Sequence, residues 1–351
     1  MKKILQIGAL NGNLGDNIAV RNVQKSFLEL DDSIQFELFN IHKFWEIQNN
    51  PKTVIDTINK INPDGVVVGG GGLIEYHSYE SMLTKQKLPL DANIISKINA
   101  PVFIYGVGIN LFRNRNSWPQ ESVKTVSEVF KFAKRASLRN DGSIEKGIKL
   151  GIDCLGVVEI PDPGLLHTPT VPYKKKLKAG FFQPAINANV GINKSRFLGF
   201  EKYIRSIPSK YNLPIFPHTV KDFNFTGKKV FDLETFRFLS KFENIEKAFD
   251  LYKKFDYIIA MRGHGQLVSI GMNIPGIYLS TQDKIYDFSS RNGFKDYTVD
   301  VREGDWIAKF ELMVKRIQED EQYIKEWYSI RDFNVAKWKE KDMLFAKSCI
   351  N

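Results

Sequence analysis

Cysteine is scarce in this sequence: Cys154 and Cys349 are the only two in 351 residues. Two thiols without paired spacing form neither a disulfide framework nor a cysteine-based metal site, and they point to a reducing, cytoplasmic setting. Long apolar runs are missing as well, so no segment reads as a membrane-spanning helix. The start, Met1-Lys2-Lys3 followed by Ile4 to Ile7, has the look of a signal peptide. The apolar run stops at Gly8 and Asn11-Gly12-Asn13, which makes it a first strand instead. No basic run interleaved with aromatic residues occurs, which argues against nucleic acid as a partner. A dinucleotide fingerprint is missing too, because Gly8, Gly12 and Gly15 have the wrong spacing. No internal repeat at a short fixed period is present.

What is there describes a globular protein. Hydrophobic residues make up 43% and charged residues 26% of the chain, so disorder is not expected. The length exceeds that at which one core usually stops growing, which predicts two domains. The formal charge of +10 is unevenly placed. Residues 1–170 hold 19 Lys and Arg against 18 Asp and Glu, whereas residues 171–351 hold 31 against 22. The basic second half reads either as a solvated lysine-rich surface or as a surface that attracts an anionic substrate or an acidic membrane.

Residues 3–10 (KILQIGAL) read as a buried strand, and Asn17 to Leu30 as a helix with Ile18, Val23, Phe27 and Leu30 on one face. Asp64 to Val68 is a second strand that meets the loop Gly69-Gly70-Gly71-Gly72, and VFIYGVG after Pro101 is a third. Alternating strand, glycine loop and helix predict a parallel sheet covered on both faces. The proline-rich stretch Ile160 to Tyr173 marks the passage between domains. Strands then recur at 177–182, 213–217, 256–260 and 274–279. From Asp305 the apolar residues Trp306, Phe310, Met313, Ile317, Ile324 and Trp327 follow helical steps.

Several segments carry chemistry. In Gly12-Asn13-Leu14-Gly15-Asp16 a helix start offers unpaired N–H groups to an anion, although Asp16 by itself reads first as an N-cap. Four consecutive glycines, with Gly70 and Gly71 at the centre, cost backbone entropy and predict close approach of a ligand or of the facing domain. Glu75, Tyr76 and His77 follow, within reach of an acceptor. Arg139, at the end of a short strand, is suited to phosphate or carboxylate, with a surface salt bridge to Asp141 as the alternative. A strand ending in Met261-Arg262-Gly263-His264-Gly265 sets a titratable group beside a cation, and the strand after it leads to Lys284. His218 follows the 213–217 strand, at a cleft edge.

Together these segments resemble the polysaccharide pyruvyl transferase family. The carriers are GNLGD (12–16), VVVGGGG (66–72), SLRNDGS (137–143), PDPGLL (161–166) and MRGHG (261–265) with the following IPGIYLS. Here Asn140 stands between Arg139 and Asp141, where the family usually has an acidic residue directly after the arginine. The resemblance spans about the first 290 residues and implies a GT-B-like α/β fold of two facing Rossmann-like domains with a central cleft, to which the periodicity from Asp305 adds a helical tail. The expected division is 1–165 on the acceptor side, 175–304 on the donor side and a tail, 305–351, packed across both. It further implies transfer of the enolpyruvyl unit of phosphoenolpyruvate onto two hydroxyls of a sugar, releasing phosphate. Phosphoenolpyruvate would be a co-substrate, with no cofactor and no metal. The acceptor would be a galactose- or N-acetylmannosamine-like sugar of a surface glycan or its lipid-linked oligosaccharide precursor, with peripheral contact to a membrane. In this scheme His264 is the general acid, and Arg139, Arg262 and Gly263 bind phosphoenolpyruvate. Asn13, Asp16, Gly70, Gly71, His77, His218 and Lys284 are further binding candidates, with His77, Asp16 and His218 competing for the role of base. Two rival readings use the same fold: a nucleotide-sugar glycosyltransferase and a non-catalytic glycan-binding protein.

Overall fold

The computed structural model describes residues 2–43, 50–76, 88, 90–111, 117–185 and 194–350. Two parallel sheets organise them. The first holds β1 (Lys3–Gly8), β2 (Gln35–Asn40), β3 (Gly65–Ile74), β4 (Val102–Ile109), β5 (Arg135–Arg139) and β6 (Val158–Ile160), in the order β2-β1-β3-β4-β5-β6. The second holds β7 (Gly180–Gln183), β8 (Tyr257–Ala260), β9 (Gly276–Ser280) and β10 (Thr298–Asp300), in the order β10-β9-β8-β7. All eight residues of β4 and all four of β8 are buried, as expected for strands covered by helices on both faces. Strand order reverses between β1 and β3, and crevices at the carboxyl ends of such neighbours are where open parallel sheets bind ligands.

Several expectations change in detail. The glycine run is not a loop: β3 continues through all four glycines to Ile74, with a register shift between Gly71 and Ile74. The run serves close packing within its own sheet and covering helix rather than approach of the facing domain. A Cβ on Gly69 would lie 2.1 Å from the Tyr105 carbonyl oxygen, and one on Gly70, where φ is +76°, 2.8 Å from the Ala19 backbone. The 213–217 segment forms only isolated bridges, Phe182 to Ile215 and Ile215 to Lys229. Pro214 and Pro217 deny it the N–H groups that a longer ladder needs.

The tail is two helices, Trp306–Glu319 and Glu321–Ile350, which meet at Asp320. The second crosses from one sheet to the other. Tyr323, Trp327 and Trp338 enter the core around β8 and β9, while Phe345 and Ala346 pack with Phe27 and Tyr105 of the first half. Asp342 anchors that far end: Ser26 Oγ and Tyr105 OH donate to its carboxyl, and burial pushes its pKa up to about 6. Other bonds tie the halves directly. Leu14 N donates to His218 O at 3.3 Å, Asn17 Nδ2 to Ser240 O at 2.6 Å, and Asn140 Nδ2 to Asn292 Oδ1 at 3.2 Å.

Candidate active site

The carboxyl ends of β3, β4 and β8 open into one cleft of about 220 Å³. Asn13, Asp16, Gly72, Glu75 and Asn110 line it from the first half, and Arg262, Gly263, His264, Gln282 and Lys284 from the second. A second, narrow pocket shares Gly263, His264 and Lys284 with this cleft and is also lined by Arg139, Asp141 and Asp162.

The helix Gly263–Gly271 starts at the cleft, directly after β8. Its first N–H groups have no intrahelical acceptor and its dipole favours an anion there. His264 is the second residue of this helix, and its side chain is 12% exposed. Nδ1 lies 3.3 Å from Asp16 Oδ1, whereas the buried Nε2 has no hydrogen-bond partner among the described residues. The imidazole depends on glycine across the domain boundary. A Cβ on Gly15 would lie 2.2 Å from His264 Cβ, and one on Gly164 would touch its Cδ2 at 3.5 Å. Gly15 therefore makes room for the histidine, not for a ligand. Burial holds the His264 pKa below the ordinary histidine value, against the opposing charges of Asp16 and Asp162.

Asp16 is not the N-cap it first suggests. Asn13 accepts from Gly15 N and caps the helix Leu14–Leu28, which leaves the Asp16 carboxylate to face His264. Gly71, with φ at +101°, passes 3.3 Å from Asp16 Oδ1 as measured from its ideal Cβ. Gly70 and Gly71 are absent from the cleft lining, whereas Gly72 is part of it and seats the Asn110 amide.

Arg139 departs from a simple anion clamp. Its side chain is 4% exposed, with Nε 2.6 Å from Asp141 Oδ2 and Nη1 3.1 Å from Asp162 Oδ2. Nη2 reaches Asn110 Oδ1 at 3.4 Å. Burial works against the guanidinium charge, but the two carboxylates outweigh it and raise its pKa. The salt bridge to Asp141 is thus real, and it is internal rather than on the surface. Arg262 is more open, at 25% side-chain exposure. It donates through Nε to Pro184 O and through Nη2 to Thr219 Oγ1 and Asp222, while Nη1 takes no part in these bonds and the residue lines the cleft.

Lys284 is the other cation of this wall. It makes no ion pair or hydrogen bond with a described residue, and burial together with the charge of Arg139 pushes its pKa down to about 8, against the pull of Asp16 and Glu75. Gly263 lets it cross, since an ideal Cβ there would sit 3.3 Å from Lys284 Cε.

His218 is excluded from the role of base. It is fully buried and absent from the cleft lining, its Nε2 is bonded to Tyr252 OH, and burial keeps its pKa well below the usual value. Its backbone N–H donates to Asp222, the carboxylate that holds Arg262. His77 lies outside the described residues. Asp162, Asn110 and Gln282 belong to the site and were not singled out by the sequence. Asp162 lies within PDPGLL (161–166), a segment that carries the family resemblance, but the sequence assigned it no role of its own. Among the described residues no group of three or more His, Cys, Asp or Glu could hold a metal ion, and no helix is long and apolar enough to cross a membrane.

The family model for polysaccharide pyruvyl transferase matches residues 13–283, a span that takes in every cleft residue except Lys284. No curated protein sequence matches the chain. Among solved structures, a glycosyltransferase from Rickettsia africae superposes with a TM-score of 0.54 at 11% identity, covering 100% of this chain and 99% of its own. MnaA of S. aureus in complex with UDP gives 0.53 at 14% identity, covering 93% and 90%. UDP-GlcNAc 2-epimerase of Neisseria meningitidis bound to UDP-GlcNAc gives 0.52 at 12% identity, covering 95% and 99%. At such low identity these likenesses establish the fold, which is GT-B-like.

Proposed function

The chain belongs to the polysaccharide pyruvyl transferase family, and from that premise we propose that it moves the enolpyruvyl unit of phosphoenolpyruvate onto two hydroxyls of a sugar, releasing phosphate. The observation that carries this reading is the second-half wall, where Arg262, Gly263, His264 and Lys284 line the cleft at the first turn of one helix. Phosphoenolpyruvate brings a phosphate and a carboxylate, and this wall offers two cations and unpaired backbone N–H groups to receive them.

Addition at C2 of the donor requires a proton on the neighbouring methylene carbon. His264 is suited to supply it, with the buried Nε2 as the ring nitrogen that bonds no described residue. Asp16, beside Nδ1, fixes the tautomer and steadies the imidazolium. Burial keeps His264 mostly neutral at pH 7 in the free protein, and the arriving negative charge of the donor favours its protonation. The acid is thus charged when there is something to protonate. The sugar is read as part of a surface glycan or its lipid-linked precursor, approached from the cytoplasmic side, with the basic second half able to attract an acidic membrane.

The UDP and UDP-sugar ligands of the fold neighbours make a nucleotide-sugar donor the competing reading. A donor screen separates the two. Phosphate released from phosphoenolpyruvate in the presence of sugar acceptors is the expected result, and release of UDP or GDP from nucleotide sugars, with phosphoenolpyruvate inert, overturns it.

A further inference from the structure

Four carboxylates surround the chemistry. Asp141 and Asp162 share Arg139, and Asp16 faces His264 Nδ1. The fourth is Glu75, at the end of β3. It lines the open cleft on the wall opposite Arg262 and Lys284, and only 8% of its surface is exposed. Asn110 Nδ2 donates to Glu75 Oε2 at 3.1 Å and to Gly72 O at 3.2 Å. The same amide accepts from Arg139 Nη2 on its oxygen, so a fixed relay from the buried arginine orients the Glu75 carboxylate. Gly72 is required by this arrangement, because a Cβ there would lie 2.4 Å from Asn110 Nδ2.

We propose that Glu75 is the base that takes the proton from the attacking sugar hydroxyl, and that its wall accepts an uncharged diol. The proposal rests on the pyruvyl-transfer reading and adds the acceptor half to it. One hydroxyl oxygen bonds to C2 of phosphoenolpyruvate while its proton passes to Glu75. The methylene carbon takes a proton from His264 and becomes the methyl group. The bond between C2 and the phosphate oxygen then breaks, with the electron pair leaving on phosphate. The second hydroxyl oxygen closes the ring at C2 and its proton departs with the phosphate. Glu75 then returns its proton to His264 through solvent, and no oxidant or reductant enters. Asp16 and Glu75 with the amides of Asn13 and Asn110 make this wall acidic and rich in hydrogen-bonding groups, which suits neutral hydroxyls and repels an anionic sugar.

The test uses the full chain, phosphoenolpyruvate and methyl hexopyranosides of gluco, galacto and manno configuration. Each carries an acetamido, ammonium or sulfate group at C2 and keeps its other hydroxyls. Glu75→Gln should bind phosphoenolpyruvate by calorimetry as wild type does, yet release phosphate about 10²–10⁴-fold more slowly. The limb of its kcat/KM profile that falls toward acid pH should vanish, and Glu75→Asp should retain that limb. In wild type the sulfated acceptors should react about tenfold or more slowly than the acetamido ones. Wild-type turnover or an intact acid limb in Glu75→Gln overturns the assignment of the base. Equal use of sulfated acceptors, or no turnover of any uncharged hexoside by a wild type that binds phosphoenolpyruvate, overturns the acceptor class. A wild type that does not bind phosphoenolpyruvate sinks the pyruvyl-transfer reading, and this proposal with it.

Discussion

On the first-half side of the cleft, Arg139 is held by Asp141 and Asp162 and is almost fully buried, while Asp16 and Glu75 line the open space. On the second-half side, Lys284 has no carboxylate in contact among the described residues, and Arg262 keeps one guanidinium nitrogen clear of its bonds to Asp222, Thr219 and Pro184. Both walls contain cations, but only one presents them. A cation reads a substrate when its charge is left for the substrate to neutralise. An arginine already balanced by two carboxylates instead sets the shape and potential of what lies in front of it. The cleft is therefore polarised, acidic toward the first-half wall and basic toward the second-half wall.

The sharpest way to break this polarity is to remove the group where the walls meet. His264→Gln keeps a neutral side chain of similar reach and cannot deliver a proton. It should lower kcat about 10²–10⁴-fold while the melting temperature stays near that of wild type. Phosphate-release kinetics and differential scanning fluorimetry read both numbers. A variant with full activity would remove the histidine from the chemistry and leave the donor wall as a binding surface alone.

The two arginines test whether presentation, rather than charge, decides the role. Arg139→Met strands Asp141 and Asp162 in a buried setting and should cost about 3–5 kcal/mol of stability in urea unfolding. Arg262→Met should cost less, because Asp222 also accepts from the backbone N–H groups of His218 and Thr219. Its main effect should be a higher KM for phosphoenolpyruvate. Equal stability losses in the two variants would mean that the walls do not differ as their geometry suggests.

The sequence made one of these walls far easier to read than the other. A strand ending in Met261-Arg262-Gly263-His264-Gly265 announces its own chemistry, because backbone direction and spacing alone bring Arg262 and His264 to a strand end. The parallel sheets were equally legible, since buried strands such as Val102–Ile109 are continuous apolar runs. The first-half wall depends on contacts between distant segments. Nothing local says that Arg139 will meet Asp162, 23 residues on in a proline-rich stretch. Nor does anything local say that Gly15 is small for the sake of His264. His218 failed as a candidate for the same reason: its position after an apolar segment resembled a cleft edge, and only tertiary packing shows Tyr252 closing over it.

Lys284 offers the finest test, because its chemistry makes opposite predictions for binding and for stability. Burial lowers its pKa to about 8 from an ordinary 10.5, so the folded protein holds this proton less tightly than the unfolded chain does. Between pH 8 and 10.5 the unfolded state binds more protons, and the contribution of Lys284 to stability rises with pH in that window. Below pH 8 its charge is a standing cost to the fold. Lys284→Met should therefore melt a few degrees higher than wild type at pH 7, with the gain shrinking as the pH climbs through that window. Function should move the other way. Losing one charge-assisted contact to the donor should raise KM for phosphoenolpyruvate about tenfold to a hundredfold at pH 7. Wild type should show its own rise in KM above about pH 8 as the ammonium deprotonates, and the variant should not. A variant that loses stability and keeps its KM would make Lys284 a structural cation, and the polarity of the cleft would then rest on Arg262 and the helix terminus alone.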